Sequence, residues 1–169
     1  MLSLLSQELL SVEELVYIKS LKTLGNVRGL EEDKYIVDVF NKRRERLDRE
    51  DLTNNLRGVD LEGANLSVAD LGYANLYGAD LRYANLYRAD LYKANLIEAN
   101  LYRANLRGAY LRRANLEGAN LRGADLYKTD LREANLEGAI LRGANLRGAD
   151  LEGAIGIDIS RIDESGVYI

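Results

Sequence analysis

From Leu56 to Leu151 a leucine returns at every fifth residue, twenty times in succession. The residue two places before each is almost always alanine, from Ala64 to Ala149, and Asn or Asp usually stands between them. The unit is Ala-Asn/Asp-Leu-x-x, as in Ala74-Asn75-Leu76-Tyr77-Gly78. A helix needs apolar spacing near 3.6 and a flat strand a spacing of about 2, so a period of five serves neither. Five residues can make one short extended side and one corner. Ala and Leu then point inward by strand alternation, the Asn or Asp between them points out, and the x-x pair turns. Four units close a square, which stacks residues twenty apart at the ~4.8 Å spacing of neighbouring strands. The expected fold is an all-β repeat solenoid, a quadrilateral parallel β-helix of about five coils.

Departures from the unit are Val59 and Thr129 at Ala sites, and Tyr110 and Ile140 at Asn/Asp sites. None interrupts the leucines. Gly fills the second x position in ten repeats, Gly78 and Gly108 among them, where a positive φ permits a type II turn. Arg, Lys, Glu, Tyr or Val in the other ten predicts a type I-like corner. The Asn/Asp column is expected to hydrogen-bond neighbouring backbone.

Residues 1–53 do not share the repeat. Ser11-Val12-Glu13-Glu14 reads as a capping box, followed by the apolar set Val12, Leu15, Val16, Leu21 and Leu24 and a stop at Gly25. A second segment from Leu30 opens with Glu31, Glu32 and Asp33 and closes with Lys42, Arg43, Arg44 and Arg46, in the order that suits a helix dipole. The expectation is an N-terminal α-helical hairpin cap over 1–53, since a stacked repeat leaves an open edge. The β-helix then spans 54–155, and the alternating segment 156–169 adds a last strand and covers the C-terminal end.

Composition narrows the chemistry. The chain has 23 basic and 27 acidic residues, a net charge of −4, and neither Cys nor His. Disulfides, thiolate metal sites and the commonest general base are therefore excluded. No apolar run reaches the ~18 residues of a membrane span. The apolar start lacks a basic flank and carries Glu8, so a cytoplasmic protein is expected. Gly118-x4-Gly123 is followed by Ala124-Asp125 where a phosphate loop needs Lys and Ser/Thr, and Asn65-Leu66-Ser67 reads as a chance sequon. Under four-sided folding Asp70 stacks on Asp90 and Asp130 on Asp150, with Tyr110 between the pairs. Stacked carboxylates can raise one another's pKa, but on a convex rod they read as solvated Asp. No catalytic residue, metal site, cofactor or small-molecule substrate is expected, and the chain is read as a non-enzyme.

One surface feature stands out. Sorted by coil from residue 56, formal charges run −2, +1, +3, −1 and −1. The basic middle is rich in tyrosine: Tyr77, Arg82, Tyr83, Tyr87, Arg88, Tyr92, Lys93, Tyr102, Arg103, Arg107, Tyr110, Arg112 and Arg113. Tyr and Arg are enriched at protein interfaces, so this belt is the candidate partner-binding surface. Tyr and Arg together also suit stacking on nucleic acid, the less favoured partner, and their spread around all four faces dilutes any single patch.

On its consecutive Ala-Asn/Asp-Leu-x-x units, the chain resembles the pentapeptide-repeat protein family over residues 54 to about 155. The resemblance implies a right-handed quadrilateral β-helix whose interior holds Leu56 to Leu151 and Ala64 to Ala149. It fits a non-catalytic protein–protein interaction or scaffold module. Some members of the family instead protect DNA gyrase from quinolones by resembling duplex DNA in size, shape and negative charge. Residues 54–154 carry thirteen basic and thirteen acidic groups, which disfavours that alternative. In gyrase-binding members the C-terminal end mediates dimerisation, which implies a homodimer contact through Ile157, Ile159, Ile162, Val167 and Tyr168.

Overall fold

The computed structural model describes residues 56–169. The helical hairpin expected over 1–53 lies outside the described residues. Residues twenty apart meet through parallel bridges in an unbroken series, from Asp60 with Asp80 to Asn135 with Ile155. The rod therefore has four sides, each presenting one outward column. The first column is Asp60, Asp80, Asn100, Asn120 and Ile140, and the second is Asn65, Asn85, Asn105, Asp125 and Asn145. The third is Asp70, Asp90, Tyr110, Asp130 and Asp150, and the fourth Asn75, Asn95, Asn115, Asn135 and Ile155. Each corner takes the number of the side that precedes it, so residues 82–83 belong to corner one and 87–88 to corner two.

The interior is what the period demands. Every ladder leucine from Leu56 to Leu146 is at most 4% exposed, with Leu151 partly buried at the end. The alanines complete the filling. Thr129 replaces one of them and is equally buried, its hydroxyl donating to the Leu106 carbonyl at 2.8 Å. A buried hydroxyl without an acceptor is costly, and this one has its acceptor.

Backbone accounting explains the rest of the unit. In Ala94-Asn95-Leu96-Ile97-Glu98, the Leu96 and Glu98 amides donate to Asn115 and Glu117 of the next coil, and the Asn95 amide donates to Ala74 of the previous one. The Ala94 amide closes the corner onto Leu91 at 3.0 Å. Only the first corner amide is left, and Ile97 N–H donates to Asn95 Oδ1 at 3.2 Å. Every Asn or Asp from Asp60 to Asp150 accepts in this way from the amide two residues on. This is the expected backbone role of that column.

The corners correct one expectation. All second corner residues from Gly58 to Gly153 have positive φ, glycine or not, with Arg88 at 53° and Lys93 at 54°. Type I-like corners at the non-glycine repeats are absent. The inter-coil bond from this residue's N–H, such as Lys93 to Arg112 at 3.1 Å, holds every non-glycine corner in one conformation. A side chain there costs roughly 1–2 kcal/mol, and the ladder imposes it.

The C-terminal residues fold over the last coil. After a 3₁₀ turn at Ile159–Arg161, Val167 pairs antiparallel with Asn145 and Tyr168 with Ile162. The Tyr168 amide and carbonyl bond Ala144 and Gly143, and its ring is buried on the core.

Tyr110 and Ile140 cannot accept from the amide two residues on, and the Arg112 and Arg142 amides have no protein acceptor among the described residues. Ile140 is 52% exposed, so its side chain contributes little burial. Ile140→Asn should raise stability by about 0.5–1.5 kcal/mol, the net worth of one added hydrogen bond. Urea unfolding of the two proteins checks this, and an equal or lower midpoint in the variant would sink the assignment.

Candidate functional site

The structure distributes the Tyr/Arg belt over corners rather than around a ring. Corner one holds Arg82, Tyr83, Tyr102 and Arg103; corner two holds Tyr87, Arg88 and Arg107; corner three holds Tyr92, Lys93, Arg112 and Arg113. Tyr110 stands in the third column between corners two and three, and Tyr77 alone falls on corner four. Coil-to-coil contacts run from one corner residue to its neighbour above, so they join residues 18 to 21 apart.

At corner three Tyr73 and Tyr92 meet edge to face, with centroids 5.5 Å apart, and Lys93 Nζ lies over both rings at 5.4 and 5.5 Å. Above them Arg112 and Arg113 both grip Glu133, each with a nitrogen at 2.6 Å. The two guanidiniums donate to the Glu133 carboxylate and hold it below its ordinary pKa. At corner one Tyr83 and Tyr102 repeat the edge-to-face pair at 5.6 Å, and Arg103 covers Tyr102 at 5.2 Å. Arg88 covers Tyr87 at corner two, and Arg107 covers Tyr127 at 4.7 Å. On corner four the Tyr77 hydroxyl donates to Glu98 at 2.8 Å, which raises the phenol's pKa. Most belt residues are thus held either by a neighbour one coil away or by the residue next to them in sequence. Tyr110 is the exception: it is 54% exposed, and no ring or ionic partner holds it among the described residues.

Carboxylates converge at two places. Asp60, Glu62 and Asp80 bring ligand-type oxygens within 4.8 Å of one another. The Arg82 guanidinium bridges Asp80 and Glu62, at 2.7 Å each, so a cation of the chain itself already serves this cluster. In the third column Asp130 behaves opposite to a stacked carboxylate. Arg132 donates to it through Nε at 2.8 Å and Nη2 at 2.6 Å, and the Arg132 amide adds a third bond. These bonds pull the Asp130 pKa below its ordinary value despite its partial burial. Sequence reading placed Asp130 against Asp150 and missed the arginine two residues on, which also approaches Asp150 at 3.5 Å.

Of the C-terminal residues singled out for dimer contacts, Tyr168 is buried, Ile157 and Ile162 pack against the core, Val167 is half-buried, and Ile159 is exposed. Among the described residues, no helix is long and apolar enough to cross a membrane.

The family model for pentapeptide repeats matches residues 60–96, 99–138 and 119–155, with 8 copies. Among solved structures, HetL, a pentapeptide repeat protein involved in heterocyst differentiation regulation from the cyanobacterium Nostoc sp. strain PCC 7120, is 42% identical with a TM-score of 0.59. That match covers 69% of this chain and 52% of HetL, so the chain spans about half of HetL's length. A second pentapeptide repeat protein from Nostoc PCC 7120 is 40% identical with a TM-score of 0.52, over 57% of this chain and 78% of its own. Comparison with curated proteins gives no significant match.

The Asp130–Arg132 pair has a pH signature. A lowered native pKa means that its stabilisation is complete above the unfolded carboxylate value of about 4 and is lost as pH falls through the native value. Unfolding free energy should therefore drop on acidification below about pH 4, and the drop should be smaller in Asp130→Asn. Urea titrations at pH 7 and pH 3 read both slopes; parallel losses in the two proteins would refute the pairing.

Proposed function

This chain belongs to the pentapeptide-repeat family, and we propose that its right-handed β-helix is a non-catalytic, cytoplasmic scaffold that binds another protein through the Tyr/Arg belt. The centre of the proposed surface is the third side at the level of Tyr110, flanked by Tyr87 and Arg107 on corner two and by Tyr92 and Arg112 on corner three. Tyr110 carries the reading. It occupies a position where an aspartate would accept from the Arg112 amide, it forgoes that bond, and its ring gains little burial in return. A large ring exposed at such a cost is what a partner's surface would use.

The surrounding residues favour docking. Their rings and guanidiniums are already ordered by edge-to-face, cation–π and ionic contacts, which lowers the entropy lost on binding. The balanced charge of the repeat region argues for recognition by shape and aromatic contact over imitation of a polyanion.

Replacing Tyr87, Tyr92, Arg107 and Arg112 together by alanine should leave the circular dichroism spectrum intact and abolish partner capture from native cell extract. Capture that survives the quadruple change would acquit the belt. The reading also includes a homodimer through the C-terminal end. Ile155, Ile159 and Ile169 are the exposed apolar groups there, because Tyr168 is turned onto the core. Light scattering at rising concentration should then approach twice the monomer mass of 18.9 kDa; a constant monomer mass would end the dimer.

A further inference from the structure

Charge sorted by side is far less even than charge sorted by coil. The second side is flanked by Arg82, Arg103, Arg122 and Arg142 on corner one, and by Arg88, Arg107, Lys128 and Arg147 on corner two. Against these eight cations stand two carboxylates, Glu62 and Asp125. The fourth side, directly opposite, carries five of each sign on its two corners. Pairing sharpens the contrast. Arg88, Arg103, Arg122, Lys128, Arg142 and Arg147 are exposed and make no salt bridge among the described residues. Arg112, Arg113 and Arg132, near the opposite side, are all salt-bridged.

Most side-chain acceptors in the column between the two corners are already engaged by the rod itself. Asn65 Oδ1 takes both the Ser67 amide and Asn85 Nδ2, and Asn85 Oδ1 takes the Tyr87 amide and Asn105 Nδ2. Asp125 accepts from the Tyr127 amide, from Asn145 Nδ2 at 2.9 Å and from Arg107 at 3.3 Å. What this side offers a ligand in excess is donors: side-chain amide N–H along the middle, and guanidinium and ammonium N–H along the two edges. At the C-terminal end Asp163 spends its carboxylate on Ser165 and Val167 rather than on these cations.

We propose that the second side is a docking surface for a carboxylate-rich segment of a partner protein, adjoining the Tyr110 surface along corner two. This rests on the reading of the rod as a protein-binding scaffold. An excess of cationic donors calls for a ligand rich in anionic acceptors, and the two basic rows climb at the coil pitch, ~4.8 Å per step. A single-stranded nucleic acid would also accept, but it draws its affinity from open ring faces on which bases stack. Here a cation of the chain already lies over three of the rings: Arg88 over Tyr87, Arg103 over Tyr102, and Arg107 with Lys128 over Tyr127. The same contacts order Arg88, Arg103, Arg107 and Lys128 without using up their positive charge.

The test uses the full chain, a polyglutamate peptide of about twenty residues and a thymidine oligonucleotide of equal length. Arg122→Gln/Arg142→Gln removes two charges from the second side, outside the Tyr/Arg belt. Arg57→Gln/Arg132→Gln removes two near the opposite side, and circular dichroism checks that both variants fold. Polyglutamate should bind with salt-sensitive affinity, weakened about fivefold or more by the first pair and less than twofold by the second. Equal weakening by both pairs, no binding to polyglutamate, or tighter binding of the oligonucleotide overturns the proposal. Partner capture separates the two readings. A protein partner held equally by wild type and by Arg122→Gln/Arg142→Gln leaves the scaffold standing and removes this surface. Polyglutamate binding that follows the pattern above, with no protein partner captured, does the reverse.

Discussion

The first amide of each corner is the backbone donor that coil stacking does not satisfy, and the rest of the unit is arranged around it. Three of the five amides in a repeat bond along the stack and a fourth closes the turn. Asn or Asp, placed two residues ahead, is short enough to reach the fifth with its side-chain oxygen, as Asn95 reaches Ile97. Leucine burial supplies the drive to collapse, but a greasy column alone does not choose a square coil. The backbone does, because each amide left without an acceptor costs stability. A slip of one residue would turn the leucines outward. A slip of five would keep them buried but break surface pairs built for a twenty-residue coil, such as Arg82 with Glu62.

The sequence therefore declared the interior almost completely. Leu56 to Leu146 are buried, and columns such as Asp70, Asp90 and Tyr110 stack as the period requires. The corners were less legible. Reading glycine as permission for positive φ is sound, but reading its absence as prohibition fails at Arg88, Lys93 and Glu98. Their conformation is fixed by the neighbouring coil, through bonds such as Glu98 to Glu117, and local propensity has no view of that neighbour. Thr129 was visible as a departure from alanine, but its acceptor, Leu106, lies 23 residues back and off the twenty-residue register.

The candidate site was legible in composition and not in arrangement. Tyr and Arg were evident in the middle of the rod, but contacts form between a corner residue and its offset neighbour one coil away. Tyr73 meets Tyr92, and Arg112 meets Glu133, at separations that a search in steps of twenty passes over. The same geometry explains why Asp130 is lowered. Its nearest charge is Arg132, two residues on, where the turn folds the guanidinium back onto the carboxylate. Sequence proximity outweighed the predicted stacking partner there.

A rod of this kind separates what holds it together from what it shows to others. The side chains that fill the core or satisfy amides are Leu, Ala, Asn and Asp, which leaves both corner positions open to almost any residue whose φ the ladder will fix. Surface character can then be organised lengthwise, since a column of corner residues keeps one direction in space for the whole rod. Sorting charge by coil averages over all four directions and returns no value beyond +3. Sorting it by side returns an arginine-edged second side opposite a balanced fourth. For a four-sided solenoid the second description is the physical one, because a partner lying along the rod meets one side and never a whole coil.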